Sequence, residues 1–254
     1  MKPKLLNFVF IVLTTVVTFS TVLPLSIAQT GHSVTKSVEF STRDGVTLKG
    51  NLYQASTGRP LVILLHMLGK TRQDWAPLVS VLQRANFSVL TLDWRGHGES
   101  TNQNGQRINF KTFTDSDWAK LPDDLNLVIF KVKQMPEFKN AKLALVGASI
   151  GANTAAIIGA RDKSVKAMVL LSPGDNYKSL VPSFYINKND PATFIVACDD
   201  DSYSAQSCRN LARIKDGTKL EIYPSGGHGT DIFNTHNSLI EEISQWLKQE
   251  LFRQ

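Results

Sequence analysis

Short, nearly unbroken apolar runs recur along this chain: Leu61–Leu65 (LVILL), Leu143–Val146 (LALV), Ala167–Leu171 (AMVLL) and Phe194–Ala197 (FIVA). All four read as strands, and the continuous apolar run Leu61–Leu65 is of the type that fills a strand buried on both faces. Between them lie segments with helical spacing. Gln73–Ala85 carries Trp75, Leu78, Val79 and Leu82, and Trp118–Met135 carries Leu121, Leu125, Val128, Ile129 and Val132. Ala152–Ala160 and Ala205–Ile214 read the same way, and Leu239–Leu251 closes the chain with Leu239, Ile240, Ile243, Trp246, Leu247 and Leu251 on one face. With Phe87–Leu92 and Leu220–Tyr223 as further strands, the alternation requires crossover units. The expected fold is α/β, with a mostly parallel central sheet and helices on both faces.

Ahead of this pattern, Val34–Phe40 and Val46–Tyr53 alternate around the turn signal Arg43-Asp44-Gly45 and read as an antiparallel N-terminal hairpin. No repeat, low-complexity tract or Gly/Ser linker divides residues 34–254. The connection between Leu171 and Phe194 is too short for a large lid.

Residues 1–28 read as a signal peptide. Lys2 and Lys4 precede an apolar stretch from Leu5 to Leu25, and Ser26 and Ala28 suit a cleavage site that leaves Gln29 first. The alternative is a membrane anchor formed by residues 5–25, since about 20 apolar residues span a bilayer; Pro24 and the small residues favour processing. The mature protein, a single domain over residues 29–254, is therefore expected to be exported, periplasmic or secreted, with membrane contact only if the leader stays. The net charge of +6 comes from scattered basic residues rather than a run, which argues against a nucleic-acid partner. Cys198 and Cys208, the two cysteines, could form a disulfide in an oxidising compartment, and they supply too few ligands for a metal.

Gly147-Ala148-Ser149-Ile150-Gly151 joins a strand directly to a helix. A serine on so sharp a turn projects its hydroxyl, and glycines flank it because side chains there would collide with neighbouring elements. Serine needs a base, and the base needs a carboxylate to orient it. On this architecture the chain order is serine, acid, histidine. That order excludes His32, His66 and His97 and leaves His228 and His236. His228, in the loop Ser225–Gly229 past a strand, is the expected base, whereas His236 at the start of the last helix reads as a solvated surface residue. The acid falls within Asp199-Asp200-Asp201, after the strand Phe194–Ala197. Two backbone amides should bind the oxyanion, those of Ile150 after the serine and Met67 in His66-Met67-Leu68-Gly69. His66 itself reads as structural.

These segments resemble the α/β-hydrolase family: GASIG, LLHMLG (similar to H-G-x-x-G, with Met67 in place of glycine), DWRGHGES over Asp93–Ser100, and GGHG stand in family order across nearly all of residues 34–254. The resemblance implies an α/β-hydrolase fold and puts the acid at Asp201, three residues after the position where the family usually has glycine. Cys198 stands there instead, which keeps Asp200 as the alternative. It further implies that DWRGHGES is a structural turn, with Asp93 paired to Arg95 and His97 outside the chemistry. A serine hydrolase of small ester or acyl substrates follows, needing no cofactor. Aminopeptidase-like or lysophospholipase-like activity is the alternative within the family. A non-catalytic binding protein on the same fold is the alternative outside it, though all three reacting positions are filled.

Overall fold

The computed structural model describes Met1 and residues 34–186 and 191–252; the leader and anchor readings lie outside these residues, Met1 apart. From Val34 on, the described residues belong to one compact unit. The strands are β1 Val34–Ser41, β2 Val46–Gln54, β3 Leu61–Leu65, β4 Ser88–Leu92, β5 Asn102–Gln103, β6 Gln106–Arg107, β7 Leu143–Ala148, β8 Val165–Leu171, β9 Ala192–Cys198 and β10 Lys219–Tyr223. They form a single sheet in the order β10-β9-β8-β7-β3-β4-β2-β5-β6, with β1 paired to β2. The six strands from β10 to β4 are parallel, and the β1–β2 hairpin joins antiparallel through β2.

The helices are α1 Ala76–Arg84, α2 Asp115–Trp118, α3 Leu121–Lys133, α4 Ile150–Gly159, α5 Ser202–Ile214, α6 Ile232–Thr235 and α7 Ser238–Phe252. They cover both sheet faces, as strand periodicity demands. Ile63, Leu65, Leu145, Leu170 and Ile195 pack with α3, α4 and α5. Their neighbours Val62, Leu64, Val146, Val169 and Val196 pack with α1, α6 and α7 on the other side. All ten of these side chains are fully buried, so cutting one of the leucines to alanine should cost about 2–5 kcal/mol.

Several elements differ from the sequence reading: α6 has no counterpart in it, and the helix expected over Gln73–Ala85 is a 3-10 turn, Arg72–Trp75, followed by α1. The helix expected over Trp118–Met135 is two helices, because Pro122 lies in the first turn of α3, where proline starts a helix rather than continuing one. The small polar hairpin of β5 and β6 carries no hydrophobic pattern to predict it. Among the described residues no helix is long and apolar enough to cross a membrane. Register brings the strand ends together: Leu65 pairs with Gly147, Ala148 with Leu171, Leu171 with Val196, and Cys198 with Tyr223. The loops that follow these strands therefore gather along one sheet edge, where parallel sheets present their ligands.

Candidate active site

Ser149 occupies the turn between β7 and α4 with φ 54°, a left-handed conformation that non-glycine residues adopt only when their surroundings enforce it. Both of its backbone groups are held: its amide donates to the Leu171 carbonyl at 2.8 Å, and its carbonyl accepts from the Asn153 amide at 3.0 Å. The flanking glycines are required by contact. A Cβ on Gly147 would lie 2.3 Å from the Gly151 carbonyl oxygen, and one on Gly151 would lie 2.3 Å from the Leu65 carbonyl oxygen. That second approach draws the end of β3 against the start of α4. Met67 and Ile150 thus adjoin backbone segments in direct contact, Met67 following His66 and Ile150 preceding Gly151, and the amides of both are unbonded among the described residues.

The loop carrying Met67 is held by two histidines. His66 is fully buried; its Nδ1 donates to the Met67 carbonyl at 2.7 Å, and its Nε2 accepts from the Trp94 amide at 3.0 Å. Burial, with His97 beside it, pushes the His66 imidazole down to about 3. His97 repeats the pattern, donating from Nδ1 to the Arg95 carbonyl at 3.0 Å and accepting from the Gly69 amide at 3.2 Å, and burial lowers its pKa also. Both rings are neutral struts of the loop.

The three adjacent aspartates diverge. Asp199 pairs with Arg209 at 2.7 Å. Asp200 accepts from the amides of Gly226 at 2.9 Å and Gly227 at 3.2 Å, and these bonds hold its carboxyl below the usual range. Asp201 lies 2.5 Å from His228 Nδ1 through Oδ2, and it caps α5 by accepting from the Ser204 amide. Nδ1 is therefore the donor, and Nε2 has no hydrogen-bond partner among the described residues. The Ser204 hydroxyl stands 3.5 Å from the same Nδ1 and 2.9 Å from the Tyr177 hydroxyl. Tyr177 also packs edge-on to the imidazole, with ring centroids 6.2 Å apart. Burial pushes the Tyr177 phenol up to about 12.

Asp201 and His228 are thus in contact, while Ser149 and His228 are not hydrogen-bonded. The Ser149 hydroxyl has no partner among the described residues, although the residue is only 6% exposed. The next residue in the histidine loop, Gly229, reaches Ser149's surroundings: a Cβ there would lie 3.3 Å from Ala148 Cβ and 2.5 Å from Met67 Sδ. An unengaged hydroxyl, an imidazole with one nitrogen fixed and two unbonded amides can together support acyl transfer. Among the described residues no group of three or more His, Cys, Asp or Glu side chains converges on a metal position. Cavities of about 640 and 230 Å³ open elsewhere, one beside Asp44 and α3 and one beside Ile157 and Tyr185; neither is lined by Ser149, Asp201 or His228.

Three expectations are corrected. Cys198 and Cys208 are free, and they lie on opposite faces of the sheet: Cys198 packs with Val196 on the α7 side and Cys208 with Ile195 on the α5 side. The backbone of β9 separates them. Asp93 pairs not with Arg95 but with Arg72, through the Arg72 amide at 2.7 Å and its guanidinium. Arg95, 3% exposed, is gripped by Asp124 at 2.6 Å and Asp44 at 2.9 Å, and the hydrogen bond from Arg95 holds the Asp44 carboxyl well below its ordinary value. His236 is half-buried rather than solvated: it stacks on Tyr223 at 3.9 Å, and its Nε2 donates to the Ser225 carbonyl. Ser172, Tyr177 and Ser204 escaped the sequence reading, having no motif of their own.

The profile of the serine aminopeptidase S33 family matches residues 56–196. The protein YfhR of Escherichia coli O157:H7 is 31% identical over 180 residues, 68% of this chain and 56% of YfhR. The thiohydrolase aneE of Aspergillus aculeatus is 28% identical over 137 residues, 54% of this chain and 41% of its own. The chain thus spans about half the length of these curated relatives. The fold matches that of the esterase Pf2001 of Pyrococcus furiosus with a TM-score of 0.68 at 20% identity, covering 86% of this chain and 93% of that one.

Proposed function

The chain belongs to the serine aminopeptidase S33 family of α/β-hydrolases, and from that premise we propose that it cleaves carboxylic esters or related acyl bonds through an acyl-enzyme on Ser149. His228 is the base and Asp201 orients it. The observation that carries this reading is the 2.5 Å contact between Asp201 and His228 Nδ1, which leaves Nε2 as the nitrogen able to take a proton. Nε2 accepts the Ser149 proton as Oγ attacks the carbonyl carbon, and the Met67 and Ile150 amides bind the resulting oxyanion. As the intermediate collapses, the imidazolium returns that proton to the leaving alcohol. Water then attacks the acyl-enzyme by the same route, with His228 again as base, and frees the acid. A small loop movement that brings Nε2 onto Oγ accompanies substrate binding, as apo geometries of this kind often tighten.

Esters are favoured over amino-terminal peptides by the fate of the nearby acids. An aminopeptidase needs a carboxylate for the substrate ammonium, and here Asp199, Asp200, Asp201 and Asp231 are each committed, to Arg209, to the Gly226 and Gly227 amides, to His228 and to Lys70, while Asp175 accepts from the Asn210 side-chain amide. Thioester cleavage would use the same chemistry, and one of the similar proteins, aneE, is named a thiohydrolase. Labelling by a fluorophosphonate, lost in Ser149→Ala, tests the nucleophile. Hydrolysis of p-nitrophenyl esters beside aminoacyl anilides tests the bond, and cleavage of the anilides alone would overturn the ester assignment. We further propose that residues 1–28 act as a cleaved leader that exports this activity, which predicts an exported protein whose N-terminal sequence starts at Gln29.

A further inference from the structure

Two consecutive residues at the end of β8 hold the two halves of the proposed reacting pair. The Leu171 carbonyl accepts the Ser149 amide at 2.8 Å, and the Ser172 hydroxyl accepts the Gly229 amide at 2.9 Å, next to His228. Ser172 is fully buried and has φ 48°, with its own amide donating to the Val196 carbonyl at 2.7 Å. A serine is thus kept in a conformation that glycine adopts at less cost, and what its side chain adds there is a hydroxyl. Gly229 is equally constrained: φ is 60°, and Met67 Sδ and Ala148 Cβ occupy the space a side chain would take. Between Ser172 on one side and Met67 on the other, the histidine loop has little freedom to drift.

We propose that Ser172 is a positioning residue, whose hydroxyl clamps the Gly229 amide and so sets the distance from the His228 imidazole to the Ser149 hydroxyl. It rests on Ser149 and His228 being the reacting pair, and it adds a residue that touches neither the substrate nor the reacting atoms. Without the hydroxyl, the Gly229 amide has no buried acceptor and the loop shifts to find water. A base displaced by about 1 Å from a productive geometry costs on the order of 100-fold in rate, while substrate binding is left alone.

The test compares Ser172→Ala and Ser172→Gly with the wild type. Glycine relieves the positive φ but, like alanine, removes the acceptor, so a purely conformational role and a hydroxyl role diverge. Both variants are expected to lose about 10- to 100-fold in kcat for a p-nitrophenyl ester, with KM unchanged within about twofold. Both should lose the same factor in the rate of fluorophosphonate labelling, and the Gly229 amide should exchange faster with deuterium. Wild-type kcat in both variants overturns the proposal, as does wild-type kcat in the glycine variant alone, or a rise in KM with kcat unchanged. A wild-type protein that the fluorophosphonate does not label overturns the Ser149 reading instead, and that result is separate from any comparison among the variants.

Discussion

Acidification should destabilise this protein through His66, and the size of the effect follows from the ring's surroundings. Both nitrogens are committed with the neutral tautomer: Nδ1 donates to a carbonyl and Nε2 accepts a backbone amide. A second proton would set N–H against N–H inside a site with no exposure to water. The folded imidazole therefore titrates at about 3, against the ordinary 6.5 that the unfolded chain recovers. Because the folded value is depressed, the unfolded state takes up the proton first as pH falls. The stabilisation is complete above pH 6.5 and is lost progressively between 6.5 and 3. At pH 5 the loss from this one group is about 2 kcal/mol, and at pH 4 about 3 kcal/mol. His97, 5.0 Å away ring to ring and also lowered by burial, adds in the same direction.

The measurement is urea unfolding, followed by tryptophan fluorescence from buried Trp75 and Trp94, at steps from pH 7.5 to pH 5. Comparison with His66→Gln cancels the titrating groups that do not interact with His66, leaving only its coupling to His97. Glutamine can accept the Trp94 amide but cannot gain a proton, so the variant is the less stable protein at pH 7.5 and the gap narrows by about 2 kcal/mol by pH 5. A gap that stays constant over that range would refute the reasoning, since it would mean that His66 takes up its proton as readily in the folded protein as in the unfolded chain.

Asp201→Asn should lower kcat for ester hydrolysis by about 1,000-fold or more, by releasing the tautomer, while Asp200→Ala frees only loop amides and costs about tenfold at most; the reverse order in steady-state rates would reassign the acid. Asp124→Leu leaves the buried Arg95 with Asp44 alone, and the urea midpoint should report a loss of about 3 kcal/mol. Thiol titration without reductant should find neither cysteine reactive in the folded protein, because burial pushes Cys198 up to about 11 and raises Cys208 as well; both should react once the protein is unfolded, and a single disulfide there would contradict the separation across β9.

Features generated by local chemistry could be read from the sequence, and those generated by the meeting of distant segments could not. LVILL announces a doubly covered strand because a sheet buried on both faces has no solvent side for polar residues, and the observed β3 is that run, while LALV, read as a strand, lies within β7. The serine turn is equally local, since the glycines that make it possible stand within two residues of Ser149. Arg95 shows the opposite case. Its partners Asp44 and Asp124 lie 51 and 29 residues away, whereas Asp93, two residues away and the obvious choice, is taken by Arg72. Nothing in a residue's type says which of several carboxylates the fold will bring to it.

The cysteines sharpen the point, because part of their answer was present. Period-two alternation already puts Cys198 on the face of Val196 and opposite Ile195 and Ala197. The missing datum is which face α5 covers, since Cys208 goes wherever that helix goes. Sequence spacing is silent on it, because a ten-residue separation is compatible with either side of the sheet. The same limit governs the candidate site. Ser149, Asp201 and His228 each follow a strand, so their arrival at one edge is implied by parallel strands alone. How far the imidazole stands from the hydroxyl depends instead on the loop between Tyr223 and Ile232, and that loop is set by contacts with β8, Met67 and Asp200 that no motif encodes. Catalytic distance, on this argument, is a property of the residues that brace the histidine loop, and substitutions at those braces should change rates with every reacting side chain still in place.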